Sequence, residues 1–196
     1  EVSLNQEIIK AEKEKDKFNI LCDNGIIYTC NSLIVATGGV SYAGTGATSF
    51  GVDLAKKFGH TIIQPKSALC PIVVSENVQE LNGLSLRNVA IKIKDVATNK
   101  LIYDDFGEML FTHFGVSGPT ILSGSAHLIR YKNVEELLRQ GKVKLYIDLK
   151  PALTAEQLNQ RILRDFDKQK NKEYKNSLYE LLPRKMIDYI IEKSGI

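Results

Sequence analysis

The chain has 196 residues, of which 43% are hydrophobic and 25% are charged, with a formal net charge of +3. These values are typical of a globular protein. No apolar run reaches the length of about eighteen residues that a membrane-spanning helix requires, which excludes a transmembrane protein and predicts no membrane partner. Three cysteines without a C-x-x-C pair favour a reducing environment, so we expect a cytoplasmic location.

The basic residues are concentrated in the last third of the chain, where residues 130–196 carry 15 basic and 10 acidic side chains. A nucleic-acid surface usually shows a basic stripe interleaved with aromatic residues. Here the lysines lie among acidic neighbours on predicted amphipathic helices, which is typical of a solvated helix face. The sequence therefore predicts no nucleic-acid partner.

Short strands are predicted at the beginning of the chain, over residues 2–10, 17–22 and 26–30, with a hairpin turn at residues 23–25. The continuous apolar run of residues 32–36 predicts a further strand that is covered on both faces. Two or three strands cannot bury their own faces. We therefore expect this region to pack against parts of a larger protein that the chain does not contain.

A glycine-rich loop begins at Gly44 and leads into a predicted helix that Thr48 or Ser49 caps and Gly59 ends. It is the closest approach in the chain to a phosphate-binding turn. It lacks the third glycine of G-x-G-x-x-G and the lysine of a P-loop, so a flexible loop leading into a helix is the alternative.

The rest of the chain is predicted to contain short strands followed by helices. The strands are expected at residues 69–74, 88–95, 100–104, 107–112 and 143–149, which suggests a small barrel or sandwich. Helices are predicted to begin near Pro119, Asn133, Thr154 and Pro183. The second and third of these starts have the pattern of a capping box. The predicted fold class is α+β.

Three runs of sequence carry a resemblance to a known family. They are LIVATGGVSYAGTGATSFGVDLAKKFGHTI from residue 33, PKSALCPIVV from residue 65 and GEMLFTHFGVSGPTIL from residue 107. With these motifs in this order, the chain resembles the YhiN/BaiN-like family of NAD(P)/FAD-dependent oxidoreductases, which are aminoacetone oxidase-like flavoproteins. The departures are mild: Ala43 stands where the family tends to have proline, and residues 49–51 replace a more polar stretch.

The resemblance implies a Rossmann-like FAD-binding domain that is interrupted by an inserted domain. Residues 1–65 would be the end of the first FAD-domain segment, with a partial β-meander, the Ala-Thr-Gly-Gly strand and a helix. Residues 66–196 would be the inserted domain, with a small β-barrel or sandwich at about 66–116 and 143–150 and a helical subdomain at about 117–142 and 151–196. The dinucleotide fingerprint and the segment that completes the flavin pocket are expected outside this chain.

The resemblance also implies a set of residues that contact FAD, mainly through their backbone. They are Ala36, Thr37, Gly38, Gly39, Ser41, Tyr42, Thr45, Gly46 and Ile8. The alternatives are a plain strand-to-loop turn at residues 36–39, a loop that only packs at residues 41–46, and ordinary strand core at Ile8. The resemblance leaves NAD(P)H open as a second cofactor of the intact protein, and no metal is expected.

His113 is the candidate catalytic residue, because histidine titrates near neutral pH. Residues 115–119 are expected to form a loop into a helix N-terminus, which suits an anionic substrate group. No partner carboxylate is evident, so a structural histidine at a domain junction is the alternative. Asp104, Asp105 and Glu108 are better explained by a turn between strands than by paired catalytic carboxylates.

The expected function is that of a fragment of an FAD-dependent oxidoreductase, inactive by itself, that acts on a small-molecule substrate in the intact protein. The flavin would supply the chemistry, and the protein would supply position and electrostatics. The sequence does not choose between a reductase and an oxidase. The alternative is a non-catalytic binding or interaction module without a cofactor, and the exposed strand edges predict self-association of the chain by itself.

Overall fold

The computed structural model describes residues 1–170 and 172–195. The chain forms two compact units, Glu1–Pro65 and Lys66–Ile196. The roles expected for them, an FAD-domain segment and an inserted domain, stay predictions. Within the described residues, no helix has the length and apolar character that crossing a membrane demands.

In the first unit, three strands form an antiparallel meander in the order β1-β2-β3. They are β1 (Ile8–Glu14), β2 (Lys17–Cys22) and β3 (Ile27–Cys30). The second and third strands are confirmed within a residue, whereas the first begins at Ile8 and not at residue 2. Asn5 explains the shorter strand, because its φ of 55° is a left-handed conformation that a strand cannot contain.

Helix α1 (Phe50–Lys57) packs on the meander. The ring of Phe58, just beyond the helix, meets the ring of Phe18 edge-on with 5.6 Å between centroids. The ammonium group of Lys57 donates a hydrogen bond of 3.2 Å to the carbonyl of Ala11. The helix predicted after the glycine-rich loop is therefore present, and these contacts hold it against β1 and β2.

Residues 32–36 do not form the strand that their apolar run predicts. The side chain of Ile34 is 89% exposed and that of Val35 is 43% exposed. A strand requires a neighbour that pairs its backbone N–H and C=O groups. Residues 1–65 are all described, and their one sheet is the three-stranded meander, which does not pair with this segment. The predicted strand covered on both faces is therefore wrong for this chain.

The second unit is built on a five-stranded antiparallel sheet, in the order β4-β7-β6-β5-β8. Its strands are β4 (Ile72–Val73), β5 (Ser85–Asp95), β6 (Lys100–Phe111), β7 (Gly115–Ser117) and β8 (Val143–Asp148). The sheet forms half of a barrel, with β4 and β8 at its edges. The predicted strands near β5 and β8 are confirmed, and β7 was not predicted.

The two strands predicted at 100–104 and 107–112 are one continuous strand, β6. Its pairing with β5 continues through the expected turn, since Phe106 lies opposite Ala90 and Gly107 lies opposite Val89. The turn expected around Asp104, Asp105 and Glu108 is therefore wrong. The long ladder of β5 provides backbone partners that outweigh the local turn-forming tendency of the two aspartates.

In the described part of the second unit, five helices accompany the sheet: α2 (Pro119–Leu128), α3 (Val134–Arg139), α4 (Ala155–Lys168), α5 (Tyr174–Ser177) and α6 (Arg184–Ser194). The capping box at Thr154 is confirmed: its hydroxyl accepts from the Gln157 N–H, and its own N–H donates to the Gln157 side chain. The box predicted at Asn133 is wrong, because this residue has a φ of 57° instead of the extended conformation that an N-cap requires.

The core of the second unit lies between the sheet, α2 and α6. Ile91 of β5, Ile121 of α2 and Ile187 of α6 are all 0% exposed. The start of α2 lies against β6 so closely that a Cβ atom on Gly118 would be 2.8 Å from the Met109 Cα. Gly118 also has a φ of +96°, so both space and backbone conformation require glycine there. The predicted α+β fold class is confirmed.

Candidate functional site

A cavity in the first unit collects most of the residues predicted to contact FAD. Its volume is about 290 Å³. Seven of the nine predicted residues line it: Thr37, Gly38, Gly39, Ser41, Tyr42, Thr45 and Gly46. Ala47 completes the lining. The structure thus brings these residues together around one open space, and their contact with a cofactor stays a prediction.

Three of the eight residues that line the cavity are glycines. Gly38 has a φ of +76°, and a Cβ atom there would have no neighbour within 4 Å. Gly46, with a φ of +85°, ends a 3-10 turn over Ala43–Thr45. The hydroxyl of Thr45 donates a 2.9 Å hydrogen bond to the Tyr42 carbonyl and stabilises this turn. The loop therefore presents side-chain-free backbone that a ligand can approach closely.

Helix α1 fixes the position of Thr37. A Cβ atom on Gly51, in the first turn of the helix, would lie 2.2 Å from the Thr37 Oγ1 atom and 3.6 Å from the Val35 Cγ1 atom. A larger residue at position 51 would therefore displace the Thr37 hydroxyl, because the loop packs directly on the helix. Sequence reasoning missed this role, although a glycine inside a predicted helix is a signal of close packing.

The partial positive charge at the N-terminus of α1 is balanced by a carboxylate of the same helix. The Ser49 hydroxyl donates a 2.6 Å hydrogen bond to the Asp53 carboxylate instead of capping a backbone N–H group. A carboxylate in the first turn satisfies the positive end of the helix dipole.

Two of the predicted cofactor-contacting residues lie outside the cavity lining. Ile8 is the first residue of β1, opposite Cys22, and its side chain is 42% exposed. Ala36 is exposed and directly precedes Thr37 in the chain. The structure does not bring Ile8 to the cavity, and the roles of both residues stay predictions.

His113 is exposed in the connection between β6 and β7. Its ring contacts the ring of Phe114 edge-on, with 4.8 Å between centroids. Among the described residues, no carboxylate makes a hydrogen bond to it. The loop expected at residues 115–119 is in part the strand β7, and the catalytic role of His113 stays a prediction.

Sequence reasoning missed a polar contact on β6, where the Tyr103 hydroxyl donates a 2.7 Å hydrogen bond to Asp105. Burial, together with this bond, raises the pKa of Tyr103 to about 12. The phenol therefore stays protonated at neutral pH and acts as a donor, not as a base. The His127 ring lies 5.0 Å from the Tyr103 ring, centroid to centroid. The sequence signal for this contact is that Tyr103 and Asp105 are two positions apart, because residues i and i+2 of a strand lie on the same face.

The sequence of the second unit matches a known family. A profile of the HI0933-like protein barrel and H2TH domain matches residues 66–196. The chain belongs to the HI0933-like family. This match confirms the resemblance to YhiN/BaiN-like flavoprotein oxidoreductases that the sequence motifs predict.

Three relatives of the HI0933-like chain are informative. It is 32% identical over 196 residues to a Haemophilus influenzae protein named ribosomal RNA dihydrouridine synthase, in a match that covers 98% of this chain and 44% of that protein. An Escherichia coli protein of the same name is 31% identical over 128 residues, 63% of this chain and 30% of its own length. A Clostridium scindens 3-dehydro-bile acid delta(4,6)-reductase is 26% identical over 192 residues, which cover 96% of this chain and 44% of that protein. The chain spans less than half the length of these relatives.

The HI0933-like unit contains an apolar cavity of about 470 Å³ inside the half-barrel. Both edge strands contribute to its wall, β4 through Ile72 and β8 through Leu145 and Ile147. Met186 and Ile190 of α6 form another part of the wall. The gap between the two unpaired edges of the sheet therefore opens onto a hydrophobic interior.

Proposed function

We propose that this chain is part of an FAD-dependent reductase and that residues 37–46 form one edge of its flavin site. The observation that carries this proposal is the open cavity, which seven of the predicted FAD-contacting residues line. A planar ring or a pyrophosphate needs close access to backbone groups, and the bare backbone at Gly38 and Gly46 offers that access.

The residues of the loop have distinct proposed tasks. Thr37 and Ser41 offer hydroxyl groups, and the contact of Thr37 with Gly51 holds one of these hydroxyls in place. Tyr42, whose side chain is 74% exposed, offers an aromatic face. Bound FAD would supply the hydride chemistry, for which the protein contributes position and electrostatics.

The relatives' names favour a reductase over an oxidase. Dihydrouridine differs from uridine by two hydrogens across one carbon–carbon double bond, and a delta(4,6)-reductase also saturates carbon–carbon double bonds. Both reactions place a hydride equivalent on one carbon and a proton on another. We therefore propose that the intact protein reduces a conjugated double bond, with NAD(P)H as the source of the two electrons.

The proposal includes further polypeptide that completes the pocket. The relatives are more than twice as long as the stretch that matches, since this chain covers 44% of two of them. The exposed side chains of Ile34 and Val35 favour an additional partner on this side of the loop. In this proposal residues 1–65 belong to the FAD domain, and residues 66–196 are an insertion on the substrate side.

The direct test uses the intact protein. We expect purification with bound flavin, anaerobic reduction of that flavin by NADH or NADPH, and faster reoxidation by an acceptor with a conjugated double bond than by oxygen. Absorbance of the flavin band measures all three steps. A folded intact protein that stays colourless after incubation with FAD contradicts the proposal.

A second candidate is a flavin-free interaction module, which the two open sheet edges favour. The backbones of β4 and β8 are each paired on one side, and both line the apolar cavity, so an added strand would cover hydrophobic surface. This alternative predicts a folded, colourless protein that self-associates as its concentration rises. Sedimentation velocity measures the association, and a flavin-loaded monomer contradicts the alternative.

A further inference from the structure

We propose that the outer face of strands β6, β5 and β8 binds single-stranded RNA. This surface, here called the lysine face, consists of Lys92, Lys94, Lys144, Tyr146 and Phe106. The inference deepens the proposed function by naming RNA as the substrate class. Only the step in which the bound RNA is reduced rests on the proposed function.

The strand register places these residues together. Along β5, Ile91 and Ile93 are 0% and 1% exposed and face the core, so Lys92 and Lys94 face outward. Across the ladder, Lys92 lies opposite Tyr146 and Lys94 lies opposite Lys144. Directly opposite residues of an antiparallel pair share one face, so three lysines and a tyrosine form a single patch.

The lysine face contains a pair of like charges. Like charges directly opposite each other destabilise a sheet, and Lys94 and Lys144 are such a pair. Within residues 1–170 and 172–195, no carboxylate lies within 4.0 Å of the three lysine ammonium groups. The nearest feature is aromatic: the Lys94 ammonium lies 5.7 Å from the Tyr146 ring centroid. A bound anion would relieve this repulsion.

Three carboxylates lie on the outer face, and one of them, Glu108 of β6, pairs with Arg87. Asp104 of β6 lies opposite Lys92, and Asp148 of β8 lies opposite Ala90. Asp104 and Asp148 lie in the same rows as Lys92 and Phe106, and the Lys94–Lys144 row has no directly opposite acidic residue, since the β6 residue opposite Lys94 is Leu101. A polyanion would therefore be drawn to that end of the face.

The exposed aromatic side chains of the lysine face fit single-stranded RNA better than duplex RNA. Tyr146 is 50% exposed and Phe106 is 59% exposed, and Phe106 lies opposite Ala90 on the same face. Exposed rings on a sheet surface stack unpaired bases, while neighbouring lysines contact the backbone phosphates. Duplex RNA keeps its bases stacked inside and would not use these rings.

The Haemophilus influenzae and Escherichia coli relatives, whose names specify ribosomal RNA, favour RNA over other polyanions. The proposal departs from the sequence-based expectation of no nucleic-acid partner. That expectation considered only basic residues that are close in sequence. The lysine face combines residues about fifty positions apart, which only the β5–β8 pairing brings together.

The test measures binding of a fluorescently labelled, mixed-sequence single-stranded RNA of about 16 nucleotides by anisotropy. The triple variant Lys92→Ala, Lys94→Ala, Lys144→Ala is expected to bind at least about tenfold more weakly. The slope of its salt dependence should also fall by about 2, because each phosphate that a lysine neutralises contributes about 0.7. The matched control Lys132→Ala, Lys168→Ala, Lys172→Ala removes the same charge from exposed positions of the same unit. It should stay within about threefold of the unmodified protein.

A second pair of variants separates stacking from charge. Tyr146→Ala should weaken binding at least about fivefold, whereas Tyr146→Phe keeps the ring and should stay within about twofold. Circular dichroism verifies the fold of each variant. Equal losses in the two triple variants, equal affinity for a duplex of the same sequence, or no loss in Tyr146→Ala would each overturn the proposal.

The assay contains no flavin or reductant, so its outcome is separate from that of the proposed reductase. A protein that does not bind RNA through this face would leave the proposed flavin site unaffected. A colourless protein that binds RNA through this face would remove the reductase and keep the RNA surface.

Discussion

The two units of this chain differ in how far they bury their large hydrophobic side chains. In the second unit the sheet and helices enclose side chains such as Ile91 and Ile187, both 0% exposed. In the first unit Val2, Ile34 and Ile63 are 84%, 89% and 88% exposed. Hydrophobic side chains that remain in water contribute nothing to stability, so the second unit contains the stabilising core of the chain.

The comparison also separates stability from the candidate cofactor site. The glycine loop of residues 37–46 lies in the unit with the smaller core, where its backbone is accessible. The second unit contains most of the buried hydrophobic residues, so we expect its exposed positions to tolerate substitution. We therefore expect core substitutions in the second unit to change stability, and substitutions in the loop to change ligand binding.

The largest expected effect is on the free energy of unfolding. Ile91→Ala removes a fully buried side chain and should cost roughly 2–5 kcal/mol. Ile34→Ala, at an 89% exposed position, should change stability by less than about 0.5 kcal/mol. Urea denaturation followed by circular dichroism measures both. Equal losses of stability in the two variants would mean that the side chain of Ile34 is buried and stabilises the first unit, contrary to its exposure in the structure.

The next effect concerns the start of α2. Gly118→Ala would place a Cβ atom 2.8 Å from the Met109 Cα atom at a φ of +96°, and should cost about 2 kcal/mol or more. Gly141→Ala shares the positive φ, +63°, but has no atom within 4 Å, so it should cost about 1 kcal/mol. Thermal unfolding compares the two, and a larger loss at Gly141 would contradict the packing of α2 on β6.

A smaller effect is expected at the helix starts. Thr154→Ala removes one half of the capping box and should cost about 1 kcal/mol. Asn133 makes no capping hydrogen bond and has a φ of 57°, so Asn133→Gly should cost no more than a few tenths of a kcal/mol. Urea midpoints of the two variants measure the difference, which would vanish if neither side chain capped its helix.

The smallest expected effect is a pH dependence at Asp95. The hydrogen bond from the Thr98 hydroxyl, with further bonds from the backbone and Tyr131, lowers the pKa of this buried carboxyl. A lowered pKa stabilises the fold above the unfolded-state value, and this contribution is lost as the pH falls through the folded-state value. Asp95→Asn should therefore be less stable than the unmodified protein at neutral pH and equally stable in strong acid.

The control for Asp95 is Asp16→Asn, which makes the same charge change at an exposed turn between β1 and β2. As a substitution at an exposed turn, it should change stability by less than about 0.5 kcal/mol. A constant difference between Asp95→Asn and the unmodified protein at every pH would show that the carboxylate charge is not what Asp95 contributes.

The parts of the fold that the sequence predicts best have a local periodic signal. Alternation in β2 and β8 and the Thr154 capping box need only neighbouring residues to be recognised. The parts that it misses depend on distant partners. Strand β7 exists because Gly115 fits against the Ile72 carbonyl, where a Cβ atom would be only 2.1 Å from the oxygen. The run at 32–36 has strand composition but lacks a pairing partner in this chain.

The same distinction holds for the candidate sites. The glycine loop is predictable because its residues are contiguous and match a family motif. The close packing of Gly51 on Thr37 was not predicted, since it depends on how α1 approaches the loop. The lysine face was missed for a similar reason: Lys94 and Lys144 become neighbours only through the register of β5 and β8.

The most direct measurement of the central claim is a flavin titration of the intact protein carrying Gly38→Ala or Gly25→Ala. Both glycines have a positive φ, +76° and +82°, and an added Cβ atom would have no neighbour within 4 Å at either position, so the two changes carry the same backbone cost. Only Gly38 lines the cavity. Gly38→Ala should weaken FAD binding at least about tenfold, or about 1.4 kcal/mol, while Gly25→Ala stays within about twofold of the unmodified protein. Equal affinities for the two variants would contradict a flavin site at this loop.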